Sequence, residues 1–119
     1  MTKSLTKDKL ILFDTTLRDG QQTQGVDFSV QDKINIAQAL DDIGIDYIEG
    51  GWPGANPTDT KFFEKNNHFQ NAKFTAFGMT KRAGRSADND PQLRALIDSN
   101  SDSVCSVSYT HLTLPTTLT

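Results

Sequence analysis

Leu10-Ile-Leu-Phe-Asp-Thr-Thr-Leu-Arg-Asp-Gly-Gln-Gln22 is the stretch from which the rest of the chain is read. Four apolar residues, Leu10 to Phe13, run straight into a polar cluster of Asp14, Thr15, Thr16, Arg18, Asp19 and Gln22, with Gly20 where the backbone can turn. A short unbroken apolar run reads as a strand buried on both faces, as parallel-sheet strands are. Such a strand delivers its polar residues at its C-terminal end, where α/β proteins place their chemistry. Arginine next to aspartate suits a small oxygen-rich ligand, because the carboxylate can bind a hard cation while the guanidinium forks onto an oxyanion. The competing reading of the same residues is a strand followed by a solvated Arg-Asp turn.

Downstream, the segment from Thr15 to Phe28 is long for a strand-to-helix connection and rich in Gln, Thr and Gly, which marks a working loop. Ser29 then reads as an N-cap, with Asp32 three residues on, for a helix whose stripe is Val30, Ile34, Ala37 and Leu40, flanked by Ile36 and Ile43; Gly44 closes it. Ile45, Tyr47 and Ile48 form a second strand running into Glu49 and the Gly50-Gly-Trp-Pro-Gly54 turn. Asn56-Pro57 opens a helix with Asp59 near its positive end and Phe62 and Phe63 as buried anchors. Lys73 to Phe77 is a third strand, closed by Gly78. A basic loop (Lys81, Arg82, Arg85), a helix from Asp90-Pro91 carrying Leu93, Leu96 and Ile97, and a fourth strand at Val104-Cys105 follow. Strand starts near 10, 45, 73 and 103 recur at the period of a strand-helix-strand unit, so the fold class is α/β with a repeating parallel core. Periodicity does not separate a doubly wound sheet from part of an eight-fold barrel.

The 119 residues are 35% hydrophobic and 23% charged, within the range of ordinary globular chains, and allow at most one small domain. A net charge of -3 leaves no electrostatic footprint for nucleic acid or an anionic membrane surface. No apolar run is long enough to span a membrane and the first nine residues lack the apolar core of a secretory signal, so the expected compartment is the cytosol. Cys105, the sole cysteine, excludes an internal disulfide and reads as a small buried hydrophobe. Neither Gly-x-Gly-x-x-Gly nor a phosphate loop occurs. The last charged residue is Asp102; the seventeen that follow contain none, where this composition gives about four. Residues 106–119 are therefore expected to be a non-native tail on a domain covering 1–105, and neither His111 in that tail nor His68 on a polar stretch reads as a ligand.

Leu12 to Gln22, Asp46 to Gly54 and Ala76-Phe-Gly78 together resemble the acyl-CoA condensing and lyase family that includes isopropylmalate synthase, homocitrate synthase and hydroxymethylglutaryl-CoA lyase. Thr16-Leu-Arg-Asp-Gly20 carries the family likeness, and Tyr47-Ile-Glu-Gly-Gly-Trp-Pro-Gly54 points to the branch that joins acetyl-CoA to pyruvate. The resemblance implies a (β/α)8 TIM barrel, of about 250 residues when complete, of which this chain holds the first three to four βα units. It implies Asp19 as a ligand of a divalent metal (Mg2+, Mn2+ or Zn2+) and Arg18 as the group stabilising negative charge on the substrate oxygen. Glu49 would hold that pair in position, and Gln22 would lie near the acyl-CoA carbonyl. Acetyl-CoA and a 2-keto acid are the implied substrates, and the implied parent is a homodimer. The family's His-x-His metal pair and a general base have no counterpart here, so the chain carries part of a site. Two readings stay open beside this one: 2-ketoisovalerate as the keto acid, and a small anion-binding module using Lys81, Arg82 and Arg85, whose alternative is a solvated loop. A piece of this size is further expected to be inactive and unstable by itself.

Overall fold

Every helix begins where the sequence supplies a cap. In a computed structural model describing residues 9–65 and 67–108, the Ser29 hydroxyl accepts from the Asp32 N–H at 3.0 Å while the Asp32 carboxylate accepts from the Ser29 N–H at 2.9 Å. This reciprocal box starts α1, Val30–Asp42, which ends at Gly44 with φ of 91°. The Asn56 side chain accepts from the Asp59 N–H at 2.8 Å and Pro57 occupies the first turn of α2, Pro57–Glu64. Asp90 caps α3, Pro91–Ile97, through the Gln92 and Leu93 N–H groups. The strands are β1 (Phe13–Asp14), β2 (Tyr47–Gly51), β3 (Lys73–Met79) and β4 (Ser103–Val107), with 3-10 turns at Gly20–Gln22 and Ala87–Asn89.

The four strands are parallel and lie in the order β1-β2-β3-β4, so neighbours in space are neighbours in the chain. A doubly wound sheet reverses its order at a switch point; among the described residues there is no reversal, which is the order of successive barrel units. The helices pack on one face, over a core of Leu17, Ala37, Ile48, Phe62, Phe63, Phe74, Ala76 and Leu96. Alternation along β3 divides the faces: Phe74 stacks with Phe63, whereas Phe77, three residues on, meets Trp52 edge-on. Asp41, on α1, is the clasp between helix and sheet, its carboxylate accepting from the N–H groups of Gln70, Asn71 and Ala72 at 2.8 to 2.9 Å.

Several apolar residues expected in the core are exposed, most of them for lack of a covering neighbour among the described residues. The first strand is only Phe13–Asp14 and is not buried on both faces: Leu10, Ile11, Leu12 and Phe13 are 76%, 60%, 45% and 46% exposed, at the edge of the sheet among the described residues. Val104, whose neighbour Ala76 lies under the helices, is exposed, and so is Ile97 at the end of α3. Ile43 is exposed because it caps α1 past the end of the stripe. β4 continues to Val107, so the boundary expected after Cys105 falls within a strand; residues 109–119, His111 among them, lie outside the described residues. No helix among the described residues is long and apolar enough to cross a membrane.

Candidate active site

The turn after β1 is built around one buried side chain. Asp14 accepts from the Thr16 N–H and hydroxyl at 2.9 and 3.1 Å, and the Thr15 carbonyl accepts from the N–H groups of Arg18, Asp19 and Gly20. Leu17 is fully buried in the core, which directs the next residue, Arg18, over the opposite face of the sheet. There its Nε donates to Glu49 Oε1 at 2.8 Å, and its Cζ sits 4.1 Å from the centroid of the Phe77 ring. A carboxylate from β2 and a ring from β3 thus fix the plane of a guanidinium brought in from β1.

Glu49 is 1% exposed, at a point where the β2–β3 register shifts between Glu49 and Gly51. Such bulges re-aim side chains near sites. One carboxylate oxygen holds Arg18; the other, Oε2, is buried without a hydrogen-bond partner among the described residues. Burial pushes the Cys105 thiol up, the nearby charge of Glu49 adds to the effect, and Arg18 opposes it. Cys105, expected to be a buried hydrophobe, is only partly buried, and it belongs to the surroundings of Glu49. Asp19 lies beside Arg18, with Nη1 and Oδ1 3.8 Å apart, and its side chain is 67% exposed. Arg18, Gln21, Gln22, Phe28, Trp52 and Asp59 are among the residues lining a cleft of about 350 Å³ beside the turn.

The structure therefore brings Arg18, Asp19 and Glu49 together and puts Gln22 on the same cleft. Asp19 offers the oxygen donor a hard cation prefers. No group of three or more His, Cys, Asp or Glu able to hold a metal occurs among the described residues, and a single carboxylate makes a weak site. Lys81, Arg82 and Arg85 are exposed; the Arg82 N–H donates to Asp90 and Arg85 Nη1 to the Asn89 carbonyl, each at 2.8 Å, so this loop is a solvated one. His68 is exposed.

Sequence reading missed one pair altogether. Asp59, expected only to complement the dipole of α2, is 1% exposed and forms an ion pair with Lys33, which is fully buried. A signal existed: Val30, Lys33, Ile34, Ala37 and Asp41 share one helical face, so two charged residues lie on the apolar stripe.

Consecutive parallel βα units with a charged cluster at the C-terminal strand ends define an α/β protein of the barrel-forming class. The chain belongs to the HMGL-like family, whose profile matches residues 9–87. It is 56% identical over 92 residues to an (R)-citramalate synthase of Aquifex aeolicus, a match covering 76% of this chain and 17% of that protein. To an (R)-citramalate synthase of Streptomyces coelicolor it is 48% identical over 119 residues, covering 93% of this chain and 22% of that protein. A 2-isopropylmalate synthase of Synechocystis is 47% identical over 58 residues, 49% of this chain and 11% of that protein. The chain thus spans about a fifth of the length of the citramalate synthases it matches.

Proposed function

We propose that the chain is the N-terminal part of the catalytic barrel of an (R)-citramalate synthase, a transferase that joins acetyl-CoA to pyruvate and hydrolyses the thioester, in isoleucine biosynthesis. The carrying observation is the Arg18–Glu49 pair at the strand ends: its 2.8 Å bond occupies only the guanidinium Nε, leaving the terminal nitrogens for a ligand. The condensation places negative charge on the ketone oxygen of the keto acid. A guanidinium held by a buried carboxylate and an aromatic face stabilises that charge without rearranging and without giving up a proton. Gln22, on the cleft, is the donor for the acyl carbonyl. Asp19 is the residue of this chain that would hold a divalent cation, Mg2+, Mn2+ or Zn2+, whose chemistry is Lewis-acid polarisation of the keto acid. A cytosolic homodimer is the corresponding state of the whole protein.

Pyruvate is favoured over 2-ketoisovalerate by the extent of the likeness: five citramalate synthases match over 76–93% of the chain, the isopropylmalate synthases over 44–49%. The test is thiol release from acetyl-CoA by the full-length protein, with each keto acid in turn. Release with pyruvate and little with 2-ketoisovalerate is expected; the reverse preference, or no release with either, overturns the proposal.

A further inference from the structure

Lys33 and Asp59, on α1 and α2, are both cut off from solvent, and Asp59 is among the residues that line the cleft. A buried ion pair is seldom the most stable filling of such a space, since well-packed apolar residues often do as well, and it is tolerated only when every remaining polar atom is paired. Here they are. Asp59 Oδ1 takes Lys33 Nζ and Gln21 Nε2, the latter at 3.0 Å. Oδ2 takes the Trp52 N–H at 2.9 Å and lies 3.1 Å from the same Gln21 nitrogen. Lys33 Nζ also sits 5.3 Å from the centroid of Phe62. The chain presses close at this point: Gly51 has φ of 147°, and a Cβ there would come within 2.6 Å of the Asp59 carboxylate and 2.9 Å of Lys33 Nζ.

One carboxylate therefore ties together pieces that arrive from different units of the fold. Gln21 belongs to the 3-10 turn directly after Asp19 and beside Gln22. Trp52 leads away from Glu49 and meets Phe77, the ring under Arg18. Lys33 places an opposite charge against the buried carboxylate. We propose that the Lys33–Asp59 pair is the positioning centre of the active site: Asp59, anchored by Lys33, clamps the turn bearing Arg18, Asp19 and Gln22 to the Trp52 loop. This rests on the reading of that turn as the substrate-binding element. Neither residue touches substrate; both act through their partners, and supporting contacts of this kind change activity by roughly 10- to 100-fold when lost.

The test uses the full-length protein, with steady-state kinetics and amide hydrogen exchange read in parallel. Gln21→Leu cuts only the tie to the turn and leaves the ion pair and the helices intact. It is expected to lower kcat about tenfold with KM for both substrates within about threefold, to speed exchange across residues 18–24, and to leave the melting temperature within about 2 °C of wild type. Asp59→Asn alone leaves a buried ammonium unpaired and is expected to fold poorly, so the paired variant Lys33→Met with Asp59→Asn is made as well. It removes both charges, keeps an acceptor for Trp52, and is expected to speed exchange at residues 18–24 and 51–55 with kcat down about 100-fold. Gln21→Leu with wild-type kcat and wild-type exchange overturns the proposal, as does a folded paired variant with both unchanged. If the wild-type protein makes no citramalate, the functional reading falls by itself and the exchange pattern still decides whether Asp59 clamps the two loops.

Discussion

Arg18 and Glu49 are joined through the guanidinium Nε and one carboxylate oxygen, 2.8 Å apart, while the second oxygen of Glu49 is buried with no partner among the described residues. The arginine side chain keeps 21% of its surface and the glutamate 1%, so the pair has an outer member open to the cleft and an inner member that holds it.

Arg18→Ala in the full-length protein is expected to lower kcat by about 100-fold or more, as loss of a contact made in the transition state does, and also to lower the melting temperature, because it leaves the buried Glu49 carboxylate without its partner. Arg18→Lys is expected to recover little, because an ammonium has neither the fork nor the Nε that reaches Glu49. Steady-state kinetics on acetyl-CoA and pyruvate decide it; an Arg18→Ala enzyme within about threefold of wild type would remove Arg18 from the chemistry.

Cys105 provides a probe of Glu49. Burial raises its thiol pKa and the neighbouring carboxylate raises it further, so labelling at pH 7 to 8 is expected to be slower than for a free thiol, since the thiolate is the reacting form. Glu49→Gln removes that charge and is expected to speed labelling of Cys105 several-fold while lowering kcat about 10- to 100-fold. Mass-spectrometric mapping of the alkylated peptide follows the first effect; an unchanged labelling rate would show that the two groups do not sense each other.

Stability is expected to fall on acidification, with Asp41 and Asp90 as contributors. Burial pushes the Asp41 carboxyl up, but the N–H groups of Asn71, Gln70 and Ala72 outweigh it and hold it below its usual value. The Arg82 N–H does the same for Asp90, against the opposing effect of burial and with help from Leu93 and Gln92. A carboxyl whose pKa is lower folded than unfolded stabilises the fold above the unfolded value, about 4, and loses that contribution as pH falls through the folded value. Melting of the full-length protein between pH 7 and pH 2.5 should therefore decline mainly below about pH 4, and Asp41→Asn should melt lower at pH 7 with a shallower decline. Parallel curves for variant and wild type would refute the assignment.

The 119-residue chain made alone is expected to melt without cooperativity, to bind a hydrophobic dye and to release no thiol from acetyl-CoA. Leu10 to Phe13 and Val104 form exposed apolar surface, and the edges of β1 and β4 are unpaired among the described residues, a combination that invites aggregation. Calorimetry and a thiol assay test this; a sharp two-state transition with turnover would show that the exposed face needs no cover.

Much of this molecule is legible in the order of its residues because the signals are local. Ser29 with Asp32, Asn56 with Pro57, Asp90 with Pro91 and Gly44 act on backbone groups within one turn of themselves, so the helix ends follow from the chain alone. The cluster of polar residues after an apolar run likewise marks the strand end on which Arg18 and Asp19 sit. What tertiary structure alone decided are pairings between residues far apart in the chain. Strand period does not say which strand lies beside which; the consecutive parallel order does, and it separates a barrel-type arrangement from a doubly wound one. Burial of Leu10 to Phe13 depends on neighbours, not on their hydrophobicity, and they are exposed. Lys33 and Asp59 are 26 residues apart, and no local signal joins them. Only when α1 and α2 pack over β2 do they meet out of water, where an ion pair joined to Gln21 and Trp52 is the arrangement that leaves no buried charge alone.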